Sequence, residues 1–552
     1  MAGHHHALTR RLLTLAGLAV GPVLVLGVFF VLPVSGMVAL GFWPDGAFDP
    51  GGVLEVLARP RVHRVAWFTV WSASAATLLS VVLGMPAAFA LHRLAIPGRR
   101  LVRAALLVPF VLPTVVVGVA FRELLGESGP LGFLGLDGTP VAIIAGLVFF
   151  NVAVVVRAVG AAWESLDPRP GEAAAALGAT PWQVFRTVTL PALRPAVVGA
   201  ASVVFLFCAT AFGIVLTLGG VRYATVETEI YLLTTTLFDL QAAAALSVLQ
   251  LLVVTVLLAL AARLRAVPDP SAHRAVVRAR GVRVPDVPAV AATGVLLLAV
   301  AAPIATLVAG SLQTTEGWGL DNYRALTTTG DDGALLVPVT EALVTSLRTA
   351  VDATWMALLF GLVVGIVVTR RSHTRTERRV RSVLDGFFML PLGVSAVTLG
   401  FGFLITLDRP PVDLRDSALL VPIAQALVAL PLVVRTIVPV LAGIDDRQRQ
   451  AAASLGATPW RALLTVDLPA LWKPLVAASG FAFAVSLGEF GATAFLARDE
   501  RPTVPVVIFR LIGHPGEMNY GMALAASVVL AAATAVVVLA VERLRVPSVG
   551  AF

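Results

Sequence analysis

Hydrophobic positions run along this chain in long unbroken blocks. They show neither the alternation of a half-buried strand nor the spaced stripe of a surface helix. Blocks lie near 12–43, 65–92, 103–122, 140–162, 196–219 and 241–262, and a second set near 289–312, 343–369, 383–407, 418–443, 475–497 and 521–541. Each holds about 20 residues or more, enough to cross a hydrocarbon core of about 30 Å as a helix. The pattern predicts an all-α polytopic membrane protein with about 12 transmembrane helices. A soluble protein with buried helices would need polar faces between the blocks, and they are missing. The first block exceeds the 7–15 residues of a signal-peptide core, so it is expected to remain as the first span.

The polar segments between the blocks repeat. EAAAALGATPWQVFRTVTLP (172–191) and QAAASLGATPWRALLTVDLP (450–469) stand 278 residues apart, and 15 of the 22 positions from Glu172 to Leu193 are identical at that offset. The same offset pairs Arg157 with Arg435, Asp167 with Asp445, Phe212 with Phe490, Gly213 with Gly491 and Thr225 with Thr503. Two six-span repeats in one orientation imply a pseudo-twofold axis along the membrane normal, with a pore or binding site expected on that axis. The expected organisation is a first repeat over 1–264 with its loop at 164–195, a basic cytoplasmic linker over 265–288, and a second repeat over 289–552 with its loop at 444–474.

Composition agrees: 58% of residues are hydrophobic, 13% are charged, and mean hydropathy is +0.90, against about 25% charged in soluble domains. Of the 41 Lys and Arg residues, 27 fall on the side that holds both termini and both repeated loops. The positive-inside rule places that side in the cytoplasm. The basic surplus thus sets orientation and does not point to nucleic acid. Cys208, the single cysteine, rules out an intrachain disulfide and a multi-cysteine metal site. His4, His5 and His6 read as the remnant of a purification tag. No metal site and no catalytic constellation is expected. Lys473 is the only lysine, and no G-x-x-x-x-G-K loop leads into it, so the chain carries no Walker A site of its own.

Each repeated loop reads locally as helix, break, helix. Asp167 suits an N-cap with Pro168 at the first helical position. Gly178 suits a left-handed helix end. Thr180-Pro181 starts a second helix expected to stop at Leu190-Pro191. The second copy keeps Gly456, Thr458-Pro459 and Leu468-Pro469. A first helix of about ten residues would be some 15 Å long, and duplicate short helices suit a partner that is itself a dimer.

The segments EAAAALGATPWQVFRTVTLPALRP and QAAASLGATPWRALLTVDLPALWKP resemble the EAA loops of ABC-importer permeases: an EAA triplet, a glycine four positions after its second alanine, then a hydrophobe before Leu-Pro. The resemblance implies the type I importer-permease fold in two tandem six-helix repeats. It further implies that Glu172, Ala173, Ala174 and Gly178 in the first half, and Gln450, Ala451, Ala452 and Gly456 in the second, dock on two copies of a cytoplasmic ABC ATPase subunit. ATP would then be used by that partner, with no cofactor bound by this chain. Gln450 departs from the glutamate of the pattern, so the two contacts are expected to be unequal. FGIVLTLGGVRYATVETEIY (212–231) and SLGEFGATAFLARDERPTVPVVIFRLIG (486–513) are most similar to the thiamine-permease branch, and next to the ferric-iron branch. Either branch implies an extracytoplasmic solute-binding protein as a further partner.

Glu489 falls near the middle of the expected eleventh span. A charge there costs roughly 2.5–3.5 kcal/mol on insertion scales, so it should face protein or a watery path. Two readings stand: a pathway group favouring a cationic solute, or a structural carboxylate bonded within the protein. Phe212 and Phe490 could form an apolar gate on the axis or pack between helices. Ser486 and Thr210 are further pathway candidates, with Gly213, Gly488 and Gly491 typical of close helix contacts. A secondary transporter would share the span count but be expected to show paired intramembrane acids, and would give no reason for duplicate loops.

Overall fold

The computed structural model describes residues 17, 19–44, 46–264, 279–314, 317–369, 374–390, 394–409, 412–414 and 417–544. His4 to His6 and the linker stretch 265–278 lie outside the described residues. The first half comprises α1 (Ala19–Phe42), α2 (Pro60–Arg93), α3 (Arg99–Val111), α4 (Thr114–Leu125), α5 (Pro140–Glu164), the short loop helix α6 (Arg169–Ala176), α7 (Pro181–Ala209), α8 (Gly213–Gly219), α9 (Val226–Thr235) and α10 (Leu240–Leu264). The second half repeats them one for one. It runs α11 (Val287–Leu312), α12 (Val339–Thr369), α13 (Arg375–Met389), α14 (Ala396–Thr406), α15 (Leu420–Gly443), the loop helix α16 (Asp446–Ser454), α17 (Trp460–Leu487), α18 (Thr493–Leu496), α19 (Val504–Gly513) and α20 (Glu517–Leu544).

Among the described residues, ten helices are long and apolar enough to cross a membrane. The pair α3–α4, bent by 103° at Leu112-Pro113, makes up to eleven. The expected span 383–407 falls on α13 and α14, with residues 391–393 between them outside the described residues.

Two expected spans are corrected. The blocks 196–219 and 475–497 are each broken, because α7 ends at Ala209 and α17 at Leu487. Beyond each break a glycine presses on backbone: a Cβ on Gly213 would lie 3.1 Å from the Val115 nitrogen, and one on Gly491 would lie 3.2 Å from that of Val397. Continuous helix with side chains could not come so close. A third correction concerns Leu190-Pro191 and Leu468-Pro469, which do not end their helices. A π-helical turn, Phe185–Thr189 or Leu463–Asp467, absorbs each proline, with Leu190 N–H donating to the Phe185 carbonyl and Leu468 N–H to that of Leu463. The proline lacks an N–H and crowds the preceding turn, and a widened turn accommodates both defects.

The halves interlock by exchanging their first helices. α1 packs on the second half, where Leu26 and Phe30 share a core with Val364, Phe403 and Leu427. α11 packs on the first half, with Leu296 and Val300 in the core built from α2, α4 and α5. Within each half the long helices meet at small residues. Gly84 of α2 faces Val155 of α5, and Gly361 of α12 faces Val433 of α15, the same contact made twice. A methyl at Gly84 would sit 2.9 Å from a Val155 carbon, and one at Gly361 would sit 2.5 Å from a Val433 carbon. Gly84→Ala and Gly361→Ala are each expected to cost about 1–3 kcal/mol through overpacking. A fall in the thermal midpoint of the purified protein, similar for both, would show it.

Candidate functional site

The two repeated loops fold alike because their signals are local. Asp167 accepts from Arg169 N–H at 3.0 Å and Asp445 from Arg447 N–H at 2.9 Å, capping α6 and α16. Each helix ends in a left-handed glycine, Gly178 at φ +89° and Gly456 at φ +81°. Paired reverse bonds close the ends: Ala179 N–H to Ala174 and Gly178 N–H to Ala175, then Ala457 N–H to Ala452 and Gly456 N–H to Ala453. This is the arrangement that satisfies terminal carbonyls when glycine follows the helix. Thr180 and Gln183 then form a reciprocal capping box that starts α7.

Neither α6 nor α16 has a buried residue. Glu172, Ala173, Gln450 and Ala451 are exposed, and Ala174 and Ala452 are half-buried. Beside them stand large apolar side chains in open view, Leu177 at 90% and Leu455 at 89% exposure, with Trp182 and Trp460 each at 67%. Leu177 pairs with Leu455 and Trp182 with Trp460 at the 278 offset, so the same bare apolar knob is built twice. Sequence reasoning named the alanines and glycines and passed over these four, although the repeat itself marks them.

The two loops differ in bracing. Arg449 of α16 bonds Asp446 at 2.9 Å, Asp467 at 2.7 Å and the Leu441 carbonyl at 3.3 Å, with Asp467 buried. The equivalent positions in the first half are Gly171 and Thr189. An ion pair therefore fastens the second knob to the root of α17, and the first knob has no such tie.

The second element of the site lies where the halves meet. Phe212 and Phe490 stack at 5.2 Å with their planes 26° apart. They are equivalents, and a residue can touch its own equivalent only beside the axis that relates the halves. Tyr231 and Phe509 are equivalents too, with centroids 6.5 Å apart. Tyr231 meets Phe212 and Phe495, each at 5.4 Å, and Phe509 meets Phe490 at 5.4 Å. Five rings thus meet at the axis, of which the sequence indicated two; the offset that paired Phe212 with Phe490 also pairs Tyr231 with Phe509, and Phe495 answers to Thr217. Thr210 caps the end of α7, its hydroxyl donating to the Leu206 carbonyl. Ser486 is buried near the end of α17.

Glu489 is not in mid-helix. It follows the break after α17, where its carboxylate accepts from Ala492 N–H at 2.8 Å and Thr493 N–H at 3.1 Å. The group caps α18 and satisfies backbone donors freed by the break, which is the structural reading of the two.

At the end of α2 remote from the loops, a cavity of about 280 Å³ is lined by Arg59, Arg61, Glu229 and Asp239 among others. Arg61 grips Glu229 through two bonds of 2.5 and 2.9 Å, and Arg59 bonds Asp239 at 2.7 Å. Partial burial pushes the Asp239 carboxyl up, but the Arg59 hydrogen bond, the Ala242 amide and the Arg59 charge outweigh it and hold it below the usual range. The opposite end of α2 reaches the first loop, where Arg93 donates to the Leu166 carbonyl at 3.0 Å. At 1.5 Å per residue the 34 residues between the two ends span roughly 50 Å.

Two repeats with exposed paired loops and stacked rings on the shared axis fit a permease, the membrane component of a transport system. The family described as the binding-protein-dependent transport system inner membrane component matches residues 80–267 and 357–545, one match per repeat. The chain belongs to that family, and is an ABC-importer permease with two EAA loops. Among similar proteins, the thiamine transport system permease protein ThiP of Brucella abortus (strain 2308) is 30% identical over 512 residues, covering 87% of this chain and 90% of that protein. ThiP of Escherichia coli (strain K12) is 30% identical over 469 residues, 81% of this chain and 83% of its own length. ThiP of Haemophilus influenzae is 24% identical over 466 residues, 81% and 82%.

Arg449→Ala is expected to destabilise the second loop by on the order of 3 kcal/mol, since it strips a buried ion pair of one partner. Hydrogen exchange over 446–456 that is faster than in the unmodified chain, with exchange over 169–178 unchanged, would report it.

Proposed function

We propose that this chain forms the translocation path of an ATP-driven importer for thiamine or its phosphates, in a prokaryotic inner membrane with both termini in the cytoplasm. The observation that carries the reading is the duplicated knob: two exposed helices with identical caps, each flanked by a bare leucine and tryptophan. If α13 and α14 together make one crossing, both knobs emerge on one face, as two copies of a cytoplasmic ATPase subunit require. Leu177 and Leu455 then fill apolar clefts of those subunits, and closure of the ATPase pair is transmitted through α7 and α17 to the ring closure on the axis.

An extracytoplasmic binding protein delivers cargo at the other end of the bundle, near Arg59 and Asp239. The thiamine names of the relatives support that cargo over ferric iron. Phe212, Phe490, Tyr231 and Phe509 act as the gate, with Thr210 and Ser486 beside it. Glu489 contributes to the path by holding the break that positions Phe490.

Leu177→Asp and Leu455→Asp are each expected to cost about 2 kcal/mol of docking energy, close to 30-fold in ATPase affinity. The measurement is the number of ATPase subunits retained per permease on purification, two for the unmodified chain and one for either variant. The cargo is tested in proteoliposomes holding permease, ATPase and binding protein, supplied in parallel with labelled thiamine and ferric iron. ATP-dependent uptake of iron without thiamine would overturn the assignment.

A further inference from the structure

Three carboxylates are buried around the axial rings: Glu227, Glu229 and Glu489. Two are committed to strong local partners. Glu229 is neutralised by Arg61, and Glu489 is spent on two backbone amides. Glu227 differs, because neutral donors bond its side chain. Gln250 Nε2 donates to Oε1 at 2.6 Å and Ser395 Oγ donates to Oε2 at 2.9 Å.

Those donors belong to different halves. Gln250 lies on α10 of the first, whereas Ser395 is the N-cap of α14 in the second. The Ser395 bond therefore crosses the interface that alternating access must open. At the 278 offset Glu227 corresponds to Pro505, so the acid is one-sided. Burying a carboxylate among neutral partners is costly, and its place in the first turn of α9 offsets only part of that cost. A group held at such cost is a functional candidate inside a membrane.

Tyr231 lies one helical turn further along α9, on the same face, with its ring against Phe212 and Phe495. A cation that leaves the Glu227 carboxylate along this face meets ring surfaces, which attract positive charge.

We propose that Glu227 is the cation-recognition group of the axial path, covered by Ser395 while the halves are together and uncovered when they part. The ligand it fits is an organic cation with its charge spread over an aromatic ring. The inference rests on the importer reading above and gives Glu227 the role that the sequence suggested for Glu489.

The test uses the complete complex of permease, ATPase and binding protein in proteoliposomes. With Glu227→Gln, thiamine moved per ATP hydrolysed is expected to fall about tenfold, while Glu227→Asp, which keeps the charge, stays within about threefold of the unmodified complex. An unchanged ratio in Glu227→Gln overturns the proposal, and so does an equal loss in both variants, which would mark a shape requirement. Failure of the unmodified complex to import thiamine would instead sink the cargo assignment. Should Glu227→Gln not assemble, the unmodified complex is trapped with a non-hydrolysable ATP analogue and treated with dicyclohexylcarbodiimide. Excess thiamine is expected to protect Glu227 from modification, and labelling that ignores thiamine overturns the proposal.

Discussion

Inside a bilayer every backbone N–H and C=O must find its partner within the protein, and this molecule breaks helices beside its axis under that constraint. The breaks after Ala209 and Leu487 free backbone donors in an apolar setting. Side chains take up donors there and at the starts of α9 and α19. Thr69 of α2 accepts from Val226 N–H at 3.0 Å, Ser346 of α12 accepts from Val504 N–H at 2.8 Å, and Glu489 accepts from Ala492 and Thr493. Because Thr69 and Ser346 are fixed in long helices, the short helices α9 and α19 begin at a set depth. Their positions bring Tyr231 and Phe509 to the axis.

The scaffold is symmetric while its chemistry is not. Helix order, caps, π turns, glycine contacts and axial rings all occur twice, which suits two identical motor subunits pulling together. The buried acids near the axis do not follow the repeat: Glu227 answers to Pro505 and Glu489 to Ala211. The Arg449 brace answers to Gly171. On the proposed reading, a solute on the axis would meet a one-sided charge within a two-sided frame. The exchange of α1 and α11 ties the halves together, and Glu227 with Ser395 is one of the contacts between them.

The loops were legible in the sequence nearly to the residue. Asp167, Gly178 and Thr180 act on backbone groups within a few positions of themselves, so their meaning survives without knowledge of the fold. The extent of α7 was not legible, because Pro191 looks like a terminator until a π turn is seen to accept it. Glu489 was misplaced for a related reason. An apolar window registers hydrophobicity and is blind to a helix break that neighbouring helices impose through Gly488 and Gly491.

What the sequence determined alone was what is written in short-range hydrogen bonding and in linear hydrophobicity: most of the spans, the 278-residue offset, and the caps of the two loops. Only the tertiary structure decided that Phe212 meets Phe490, that Glu489 turns back on its own backbone, and that Glu227 reaches across to Ser395. Those contacts join residues that are far apart in the chain or depend on where a helix is interrupted. Packing against other helices sets both, and no local propensity encodes it.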